Sequence, residues 1–274
     1  MKIFVDSANI EEIRYAYSGG VVDGVTTNPS LIKKAVDILK EKGEKVDMEG
    51  YIKDILLTAK GTPVSLEVTE TSYRGMVEQG KKIFEKFNPV ADNVYIKIPV
   101  NPSMEPGDNK EYDGIKAIKD LSKEGIPVNC TLVFTPEQAL LAARAGAKFV
   151  SPFAGRIDDF IRKSQGMEFD KSAYFPAEGM EKDNKTLNDN GMVSGVELVA
   201  EIVEIFEQHG IDTCEVLAAS LRNTRQVREC ALAGAHLATI PFSVIKKLLD
   251  HTKTMEGMKA FAKDTIPEYV EVIE

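Results

Sequence analysis

A lysine at the centre of a short apolar run is the residue of this sequence best suited to covalent chemistry. The run VYIKIPV, residues 94–100, has asparagine and proline on both sides, which is typical of a buried strand. Alternation along a strand places Lys97 on the same face as Tyr95 and Pro99. A buried, unpaired ammonium is costly. We therefore expect Lys97 to be paired with an acid, to reach the strand end, or to be held as a neutral amine that can attack a carbonyl.

Two acids occupy positions where acids are uncommon. Glu67 lies within the apolar run PVSLEVT, residues 63–69, and an acid inside such a strand is usually partnered. Asp6 directly follows the strand predicted at residues 2–5. It can cap the next helix, although Ser7 or Asn9 would serve equally well there. Glu67 and Asp6 are thus candidates for acid–base chemistry.

Three neutral polar residues stand within or at the end of predicted strands. Asn28 ends the run GVTTN and precedes Pro29, which holds it extended and presents its amide; the alternative is an ordinary turn residue. Asn129 and Thr131 are two positions apart in the run IPVNCTLVF, so they share one face of a strand. Hydrogen-bonding groups side by side within a strand indicate a polar interior.

Hydroxyls and arginines follow two later strands. Ser151 lies in FVSPFAG, residues 149–155, and Arg156 comes just beyond its end. Ser220 and Arg222 follow the strand predicted at residues 214–219. Guanidinium groups bind phosphate with paired hydrogen bonds. These residues are therefore candidates for binding an anion.

The spacing of apolar runs predicts the elements that carry these residues. Eight strands alternate with helical segments, at residues 2–5, 24–28, 63–69, 94–100, 126–134, 149–155, 214–219 and 237–242. This alternation predicts one α/β domain over residues 1–274, a single (β/α)8 TIM barrel, in which the carboxyl ends of the strands bring the polar residues into one pocket. A doubly wound open sheet is the weaker alternative, because no glycine-rich phosphate-binding motif follows the first strand.

Two segments exceed what a minimal barrel requires. Residues 101–113 are polar and predict an exposed loop, and residues 157–195 are charged and weakly periodic, which predicts a long loop with a short helix near Phe160. Between 72 and 87 the spacing predicts a helix that ends before Pro89. Residues 243–274 predict an amphipathic helical tail, so the barrel is expected to carry an additional C-terminal helix.

Composition excludes several classes of function. The 274 residues are 43% hydrophobic and 28% charged, with a net charge of −9, which argues against a nucleic-acid or anionic-membrane surface. The three cysteines are far apart and there are only three histidines, so we expect reduced thiols and no zinc site. The sequence has no membrane-length apolar run and begins with a strand, so we expect a cytoplasmic protein.

Five motifs together carry a resemblance to a known family. They are GVTTNPS at residues 24–30, IKIPV at 96–100, NCTLVF at 129–134, SPFAGRIDD at 151–159 and AASLRN at 218–223. In this order they resemble the transaldolase family, which includes fructose-6-phosphate aldolases. The resemblance implies a TIM barrel with class I aldolase chemistry that uses no metal and no cofactor, in which a lysine forms a Schiff base with a ketose phosphate.

The resemblance also implies a role for each matching residue. Lys97 would be the nucleophile, Asp6 would accept the proton of the donor's C4 hydroxyl, and Glu67 with Thr131 would activate a water. Asn28 would orient the dihydroxyacetone unit. The remaining residues bind the carried unit or the phosphate, namely Asn129, Ser151, Arg156, Ser220 and Arg222.

Two positions favour transfer over simple cleavage. Relatives that are simple aldolases tend to have glutamine in place of Glu67 and tyrosine in place of Phe153. A glutamate exchanges protons with water whereas a glutamine does not, and phenylalanine lacks the proton donor of tyrosine. We therefore expect a transaldolase that acts on sugar phosphates, with aldolase-type cleavage as the alternative. A non-catalytic sugar-phosphate-binding barrel is disfavoured because binding alone does not require a buried lysine. The helical tail resembles that of ring-forming members and predicts a homo-oligomer.

Overall fold

The computed structural model describes residues 1–43 and 45–273. In chain order its strands are β1 Lys2–Asp6, β2 Gly24–Thr26, β3 Val64–Glu67, β4 Val94–Pro99, β5 Val128–Val133, β6 Phe149–Pro152, β7 Glu181–Lys182, β8 Lys185–Thr186, β9 Glu215–Ala218 and β10 Leu237–Pro241. All except β7 and β8 close into one barrel in the order β1-β10-β9-β6-β5-β4-β3-β2. The predicted (β/α)8 barrel is confirmed.

Helices surround this barrel. They are α1 Ile10–Ser18, α2 Pro29–Glu41, α3 Met48–Thr58, α4 Tyr73–Ala91, α5 Asp113–Lys123, α6 Pro136–Ala145, α7 Ala154–Ser164, α8 Gly195–Gln208, α9 Thr224–Leu232, α10 Phe242–Ile245, α11 Thr252–Asp264 and α12 Pro267–Ile273. The C-terminal tail therefore contains three helices. In the described part of the chain, no helix has the length and apolar character needed to cross a membrane.

An apolar layer fills the amino-terminal end of the barrel. The rings of Tyr95 and Phe149 stack at 4.9 Å, and the edge of Phe4 meets Phe149 at 5.9 Å between centroids. Gly24 lies against this layer, since a Cβ there would stand 2.5 Å from the ring of Phe4. With this end filled by rings, the polar side chains lie above them, towards the carboxyl ends of the strands.

Strand register places the candidate residues side by side at this carboxyl end. Glu67 of β3 pairs with Lys97 of β4, and Lys97 pairs in turn with Asn129 of β5. Next to β3 in the barrel, Thr26 of β2 pairs with Asp6 of β1. Because side chains in register on neighbouring parallel strands point the same way, these residues share the barrel interior.

The prediction of a long loop over residues 157–195 with a short helix near Phe160 was wrong in where the loop begins and in the length of that helix. Strand β6 ends at Pro152, and α7 occupies Ala154–Ser164, so Arg156 lies in the first turn of a helix and the long loop begins at residue 165. Helix α7 buries Ile157 and Ile161, but it also buries Asp158, Asp159 and Arg162. Charged residues on the buried face hide the apolar period on which the prediction relied.

The predicted end of α4 before Pro89 was also wrong, because the helix continues to Ala91. Pro89 removes only one hydrogen bond close to the end of the helix. The helix stops at Asp92, which adopts a left-handed conformation with φ 53°. Asn88 accepts a hydrogen bond from the Val94 amide and so connects α4 to β4. Asn223 caps α9, where its side chain accepts from the Gln226 amide.

Candidate active site

Lys97 points into the barrel and is 5% exposed. Its Nζ lies 3.2 Å from Oε2 of Glu67 and donates to the carbonyl of Thr27 at 3.2 Å. Of the arrangements expected for a buried lysine, the structure therefore shows pairing with an acid. Glu67 is itself at the rim of the barrel, with 16% of its side chain exposed. Its carboxylate is placed to take a proton from the ammonium and leave a nucleophilic amine.

Asp6 is held at the end of β1 by a neighbouring hydroxyl. Thr26 donates to Oδ1 of Asp6 at 2.8 Å, and Thr239 forms a further hydrogen bond with Thr26. Burial raises the pKa of the Asp6 carboxyl, while the positive charges of Lys97 and Arg222 oppose this rise. Asn9 caps α1 in its place, so Asp6 does not serve as a helix cap. A carboxyl of raised pKa is suited to accepting and returning a proton.

A chain of hydrogen bonds crosses the barrel below Lys97. The hydroxyl of Ser151 donates to Oδ1 of Asn129 at 2.7 Å, and Nδ2 of Asn129 donates to Oγ of Ser65 at 3.1 Å. All three residues are buried. These bonds fix the Asn129 amide and orient Ser151, whose position at the cavity wall suits it to contact a substrate hydroxyl.

Thr131 is 1% exposed, and its Oγ1 has no hydrogen-bond partner within residues 1–43 and 45–273. It pairs in register with Pro99, two residues beyond Lys97. A buried hydroxyl without a protein partner usually binds water or ligand. This position is compatible with the water-binding role that the family resemblance implies for Thr131.

Asn28 combines a structural contact with a place at the site. Its Oδ1 accepts from the Leu31 amide at 3.0 Å and caps α2, and the residue also lines the cavity around Lys97. Asn28 therefore caps a helix, which differs from the turn residue expected as the alternative, and its Oδ1 already has a backbone partner. Only its Nδ2 remains to donate to a substrate.

Two arginines stand on one side of the mouth. The Arg222 guanidinium contacts Asp159 at 3.1 Å, with 28% of the arginine side chain exposed. The Arg156 guanidinium lies over the ring of Phe153, 4.9 Å from its centroid. Ser220 has a left-handed backbone with φ 61°, a conformation that is rare for residues other than glycine. Ser220 and Arg222, which follow β9, both line the cavity around Lys97.

A cavity of about 230 Å³ joins these groups. Its walls include most of the predicted site residues, namely Asp6, Asn28, Lys97, Ser151, Arg156, Ser220 and Arg222. Glu67, Asn129 and Thr131 are not among its lining residues. Glu67 and Asn129 are instead joined to it through their contacts with Lys97 and Ser151.

Sequence reasoning missed several residues of this site. Thr26 and Thr239 line the cavity, and so does Lys171 from the long loop. The two threonines could have been recognised from their places in the sequence, because each occupies an inward position near the end of a predicted strand. Nothing in the sequence marks Lys171 as a site residue, because it lies in a charged segment without periodicity.

Two further missed residues position Arg222. The Gln226 side chain accepts from the Arg222 amide at 2.8 Å and donates to Asp158 at 2.7 Å. Asp158 also accepts from the Gly195 amide at 2.7 Å. Burial raises the pKa of Asp158 to about 7. This network connects α7, α8 and α9, and it fixes the backbone from which Arg222 extends.

The three cysteines are buried, and none of them lines the cavity around Lys97. Burial raises the pKa of Cys214 and of Cys230 to about 12, and all three cysteines are free thiols. Neutral, buried thiols are poor nucleophiles and poor metal ligands. In the part of the chain that the structure describes, no group of three or more His, Cys, Asp or Glu residues is arranged to hold a metal ion.

Comparisons with known proteins point to one family, and the matches cover almost the whole chain. The sequence matches the family model described as Transaldolase/Fructose-6-phosphate aldolase over residues 3–272. It is 44% identical over 264 residues to a protein of Desulfatibacillum aliphaticivorans named probable transaldolase, covering 96% of this chain and 97% of that protein. A protein of Thermoplasma acidophilum with the same name is 41% identical over 264 residues, covering 96% and 95% of the two chains. A third protein named probable transaldolase, from Geobacillus thermodenitrificans, is 39% identical over 264 residues, covering 96% of this chain and 98% of that protein.

Proposed function

The chain belongs to the transaldolase/fructose-6-phosphate aldolase family, and on this premise we propose that it is a transaldolase. The reaction moves a dihydroxyacetone unit from a ketose phosphate, fructose 6-phosphate or sedoheptulose 7-phosphate, to an aldose phosphate through a Schiff base on Lys97. The observation that carries this proposal is the buried Lys97 amine in the barrel interior, 3.2 Å from Glu67.

Schiff-base formation begins when the Lys97 ammonium gives a proton to Glu67. The neutral amine adds to C2 of the ketose, and loss of water from the carbinolamine gives the iminium. Glu67, with a water held by the Thr131 hydroxyl, supplies and removes the protons of these steps. The unsatisfied Oγ1 of Thr131 supports this assignment.

Carbon–carbon cleavage follows from the iminium. Asp6 accepts the proton of the C4 hydroxyl, the C3–C4 bond breaks, and its electron pair moves into the iminium to form an enamine. The released fragment is an aldose phosphate. The enamine then adds to the aldehyde carbon of the acceptor while Asp6 returns a proton to the new hydroxyl. The raised pKa of Asp6 supports this two-way role.

The three-carbon unit must stay in place between the two half-reactions. Asn28 donates from Nδ2 to a hydroxyl of this unit, while Asn129 and Ser151 hold the other end. The hydrogen bonds from Ser151 to Asn129 and from Asn129 to Ser65 support this assignment, because they leave little rotational freedom to either amide or hydroxyl.

The phosphate of donor or acceptor binds on the other side of the mouth. Arg156, Arg222 and Ser220 provide its partners, since guanidinium groups and hydroxyls are suitable phosphate donors. The ion pair with Asp159 and the bond from the Arg222 amide to Gln226 hold Arg222 in this position.

Glu67 and Phe153 favour transfer over cleavage. Simple aldolases must protonate the enamine and release dihydroxyacetone, whereas a transaldolase must not. Phe153 lies between Arg156 and the ring of Phe134, whose centroid is 5.7 Å away. No hydroxyl is present at this residue to protonate the enamine.

We also propose a setting for this activity. Its substrates are those of the pentose phosphate pathway, which places the enzyme in the cytoplasm, and residues 1–274 act as one catalytic domain. The exposed apolar side chains of α11 and α12, which include Met255, Met258, Phe261 and Tyr269, support a homo-oligomer in which a second copy covers the tail.

A coupled assay tests this function. With fructose 6-phosphate and erythrose 4-phosphate we expect glyceraldehyde 3-phosphate and sedoheptulose 7-phosphate in equal amounts, with free dihydroxyacetone below a few per cent of turnover. Lys97→Met should abolish the reaction. Release of dihydroxyacetone without an acceptor, at the rate of transfer, would show an aldolase instead. Unchanged binding of sugar phosphate by both proteins without any turnover would show a binding protein.

A further inference from the structure

The long loop places a third cation beside the two arginines of the mouth. Residues 165–194 connect α7 to α8, and Lys171 in this loop lines the cavity around Lys97. Lys171 also lines a larger adjoining cavity of about 530 Å³. Arg156 and Arg222 line both cavities as well. Lys171 is therefore near the proposed phosphate-binding groups, although it belongs to a different segment.

A buried arginine holds the loop on both sides of Lys171. Arg162 of α7 is 6% exposed and donates to the carbonyls of Ala173 and Tyr174, at 3.2 and 2.6 Å. Its guanidinium also lies 4.9 Å from the ring centroids of both Phe169 and Phe175. Since these rings precede and follow Lys171 in the sequence, both ends of its segment are fixed to α7.

Helix α9 holds the same segment from the other side. The Tyr174 hydroxyl donates to Glu229 at 2.8 Å, and the Arg225 guanidinium stacks on the Tyr174 ring at 3.8 Å. The Asn223 side chain donates to the Ser172 carbonyl at 3.4 Å. The position of Lys171 is thus set by the two helices that also position Arg156 and Arg222.

Charge at this mouth differs in sign from the charge of the whole chain. The larger cavity has four basic lining residues, Arg156, Lys163, Lys171 and Arg222, and two acidic ones, Asp159 and Asp189. The sequence as a whole has a net charge of −9. Asp159 is already paired with Arg222. Within residues 1–43 and 45–273, neither Arg156 nor Lys171 forms a salt bridge. These cations are available to an anionic ligand.

We propose that Lys171 is a phosphate-binding residue that the long loop contributes, and that it sets the preference of this enzyme for phosphorylated substrates over free sugars. Lys171 joins Arg156 and Arg222 around the phosphate of the sugar, so that three cations from α7, the loop and the β9–α9 turn meet a dianion. This assignment rests on the proposed function for its substrate class. It extends that function by giving the loop a role in substrate selection.

Lys171→Gln tests this role, with Lys185→Gln as the matched control on the same loop. Lys185 belongs to the exposed strand β8 and lines neither cavity. For Lys171→Gln we expect the KM for erythrose 4-phosphate to rise about ten- to a hundredfold, the effect of removing one charged hydrogen bond. The kcat at saturation and the kcat/KM for unphosphorylated glyceraldehyde as acceptor should stay within about twofold, and Lys185→Gln should match the parent protein.

Binding of inorganic phosphate, measured by titration calorimetry, separates this inference from the proposed function. If Lys171→Gln binds phosphate more weakly than both the parent and Lys185→Gln, the role of Lys171 is supported. This holds even if none of the three proteins catalyses transfer. The inference is overturned if Lys171→Gln binds phosphate as tightly as the parent. It is overturned equally if kcat/KM falls by the same factor for phosphorylated and unphosphorylated acceptors.

Discussion

The Lys97–Glu67 pair reconciles two opposed requirements at the level of single residues. A buried ammonium needs a counter-charge, whereas a Schiff-base lysine needs to lose its proton. Glu67 provides the counter-charge, since its carboxylate lies 3.2 Å from the Lys97 ammonium. The same carboxylate can take the lysine proton, which a glutamine could not do. The carbonyl of Thr27 then remains as an acceptor for the amine.

The protonation of Asp6 should be visible in the pH dependence of activity. Asp6 must be ionised to accept the C4 proton, and burial raises its pKa above the ordinary value of 3.8. As the pH falls through this raised pKa, Asp6 becomes protonated and can no longer act as a base. The fall of kcat/KM on the acidic side of the pH profile should therefore be centred above pH 3.8. Asp6→Asn should lower kcat by about 10²- to 10⁴-fold, and its residual activity should lack this fall.

Asp37→Asn is a suitable control for this experiment, because Asp37 is paired with Lys33 on the surface of α2. It should reproduce the parent pH profile. If Asp6→Asn kept activity within tenfold of the parent, or kept the fall on the acidic side in place, another group would be the base.

Single residues also show what sequence alone can predict. Lys97 and Glu67 were identifiable because charge within an apolar strand is rare and demands a partner. Thr26 and Thr239 were overlooked because threonine is common in strands and requires no special explanation. Asp158 and Gln226 lie on helices, where polar residues usually face solvent. Their burial follows from contacts with the Arg222 turn, which only the folded chain reveals.

At the level of elements, Gly155 determines how closely α7 approaches the turn after β9. A Cβ at this position would stand 2.2 Å from the Ser220 carbonyl oxygen and 2.7 Å from Nε of Arg222. No side chain fits there without moving either α7 or the turn. The glycine therefore allows Arg156 and Arg222 to face the same cavity.

Gly155→Ala should displace this contact and weaken phosphate binding. We expect a loss of about 1–3 kcal/mol in the free energy of unfolding, typical of overpacking, and a KM for fructose 6-phosphate raised about tenfold or more, since two arginines move. Denaturant unfolding and steady-state kinetics measure the two effects.

Gly257→Ala provides the control for this substitution. Gly257 lies within α11, and an added Cβ there meets nothing within 4 Å, so the change should leave KM unaltered and favour the helix slightly. A Gly155→Ala protein as stable as the parent, with the same KM, would show that this close approach has no functional consequence.

The strands were easier to predict than the helices around them. Each barrel strand is short, apolar and bounded by turn residues, so its approximate position could be predicted from the local sequence pattern. The helix predicted near Phe160 proved longer than expected, because Asp158, Asp159 and Arg162 replace apolar residues on the buried face of α7. The long loop after α7 could not be predicted as an ordered part of the site, because its anchors are single residues on α7 and α9.

At the level of the whole molecule, closure of the barrel makes the chemistry feasible. Rings fill its amino-terminal end, and the reacting groups face a cavity of about 230 Å³ at the other end. An excess of cations at this mouth, on a chain with a net charge of −9, attracts anionic sugar phosphates to the site. The fold thus keeps the amine away from bulk water and still admits a charged substrate.

Reductive trapping shows whether Lys97 forms the Schiff base. The protein is incubated with fructose 6-phosphate, treated with sodium borohydride and digested, and the modified peptide is located by mass spectrometry. We expect one stable adduct, a reduced three-carbon or six-carbon unit on Lys97, which is absent from Lys97→Met. An adduct on a different lysine, or none under conditions that support turnover, would contradict it.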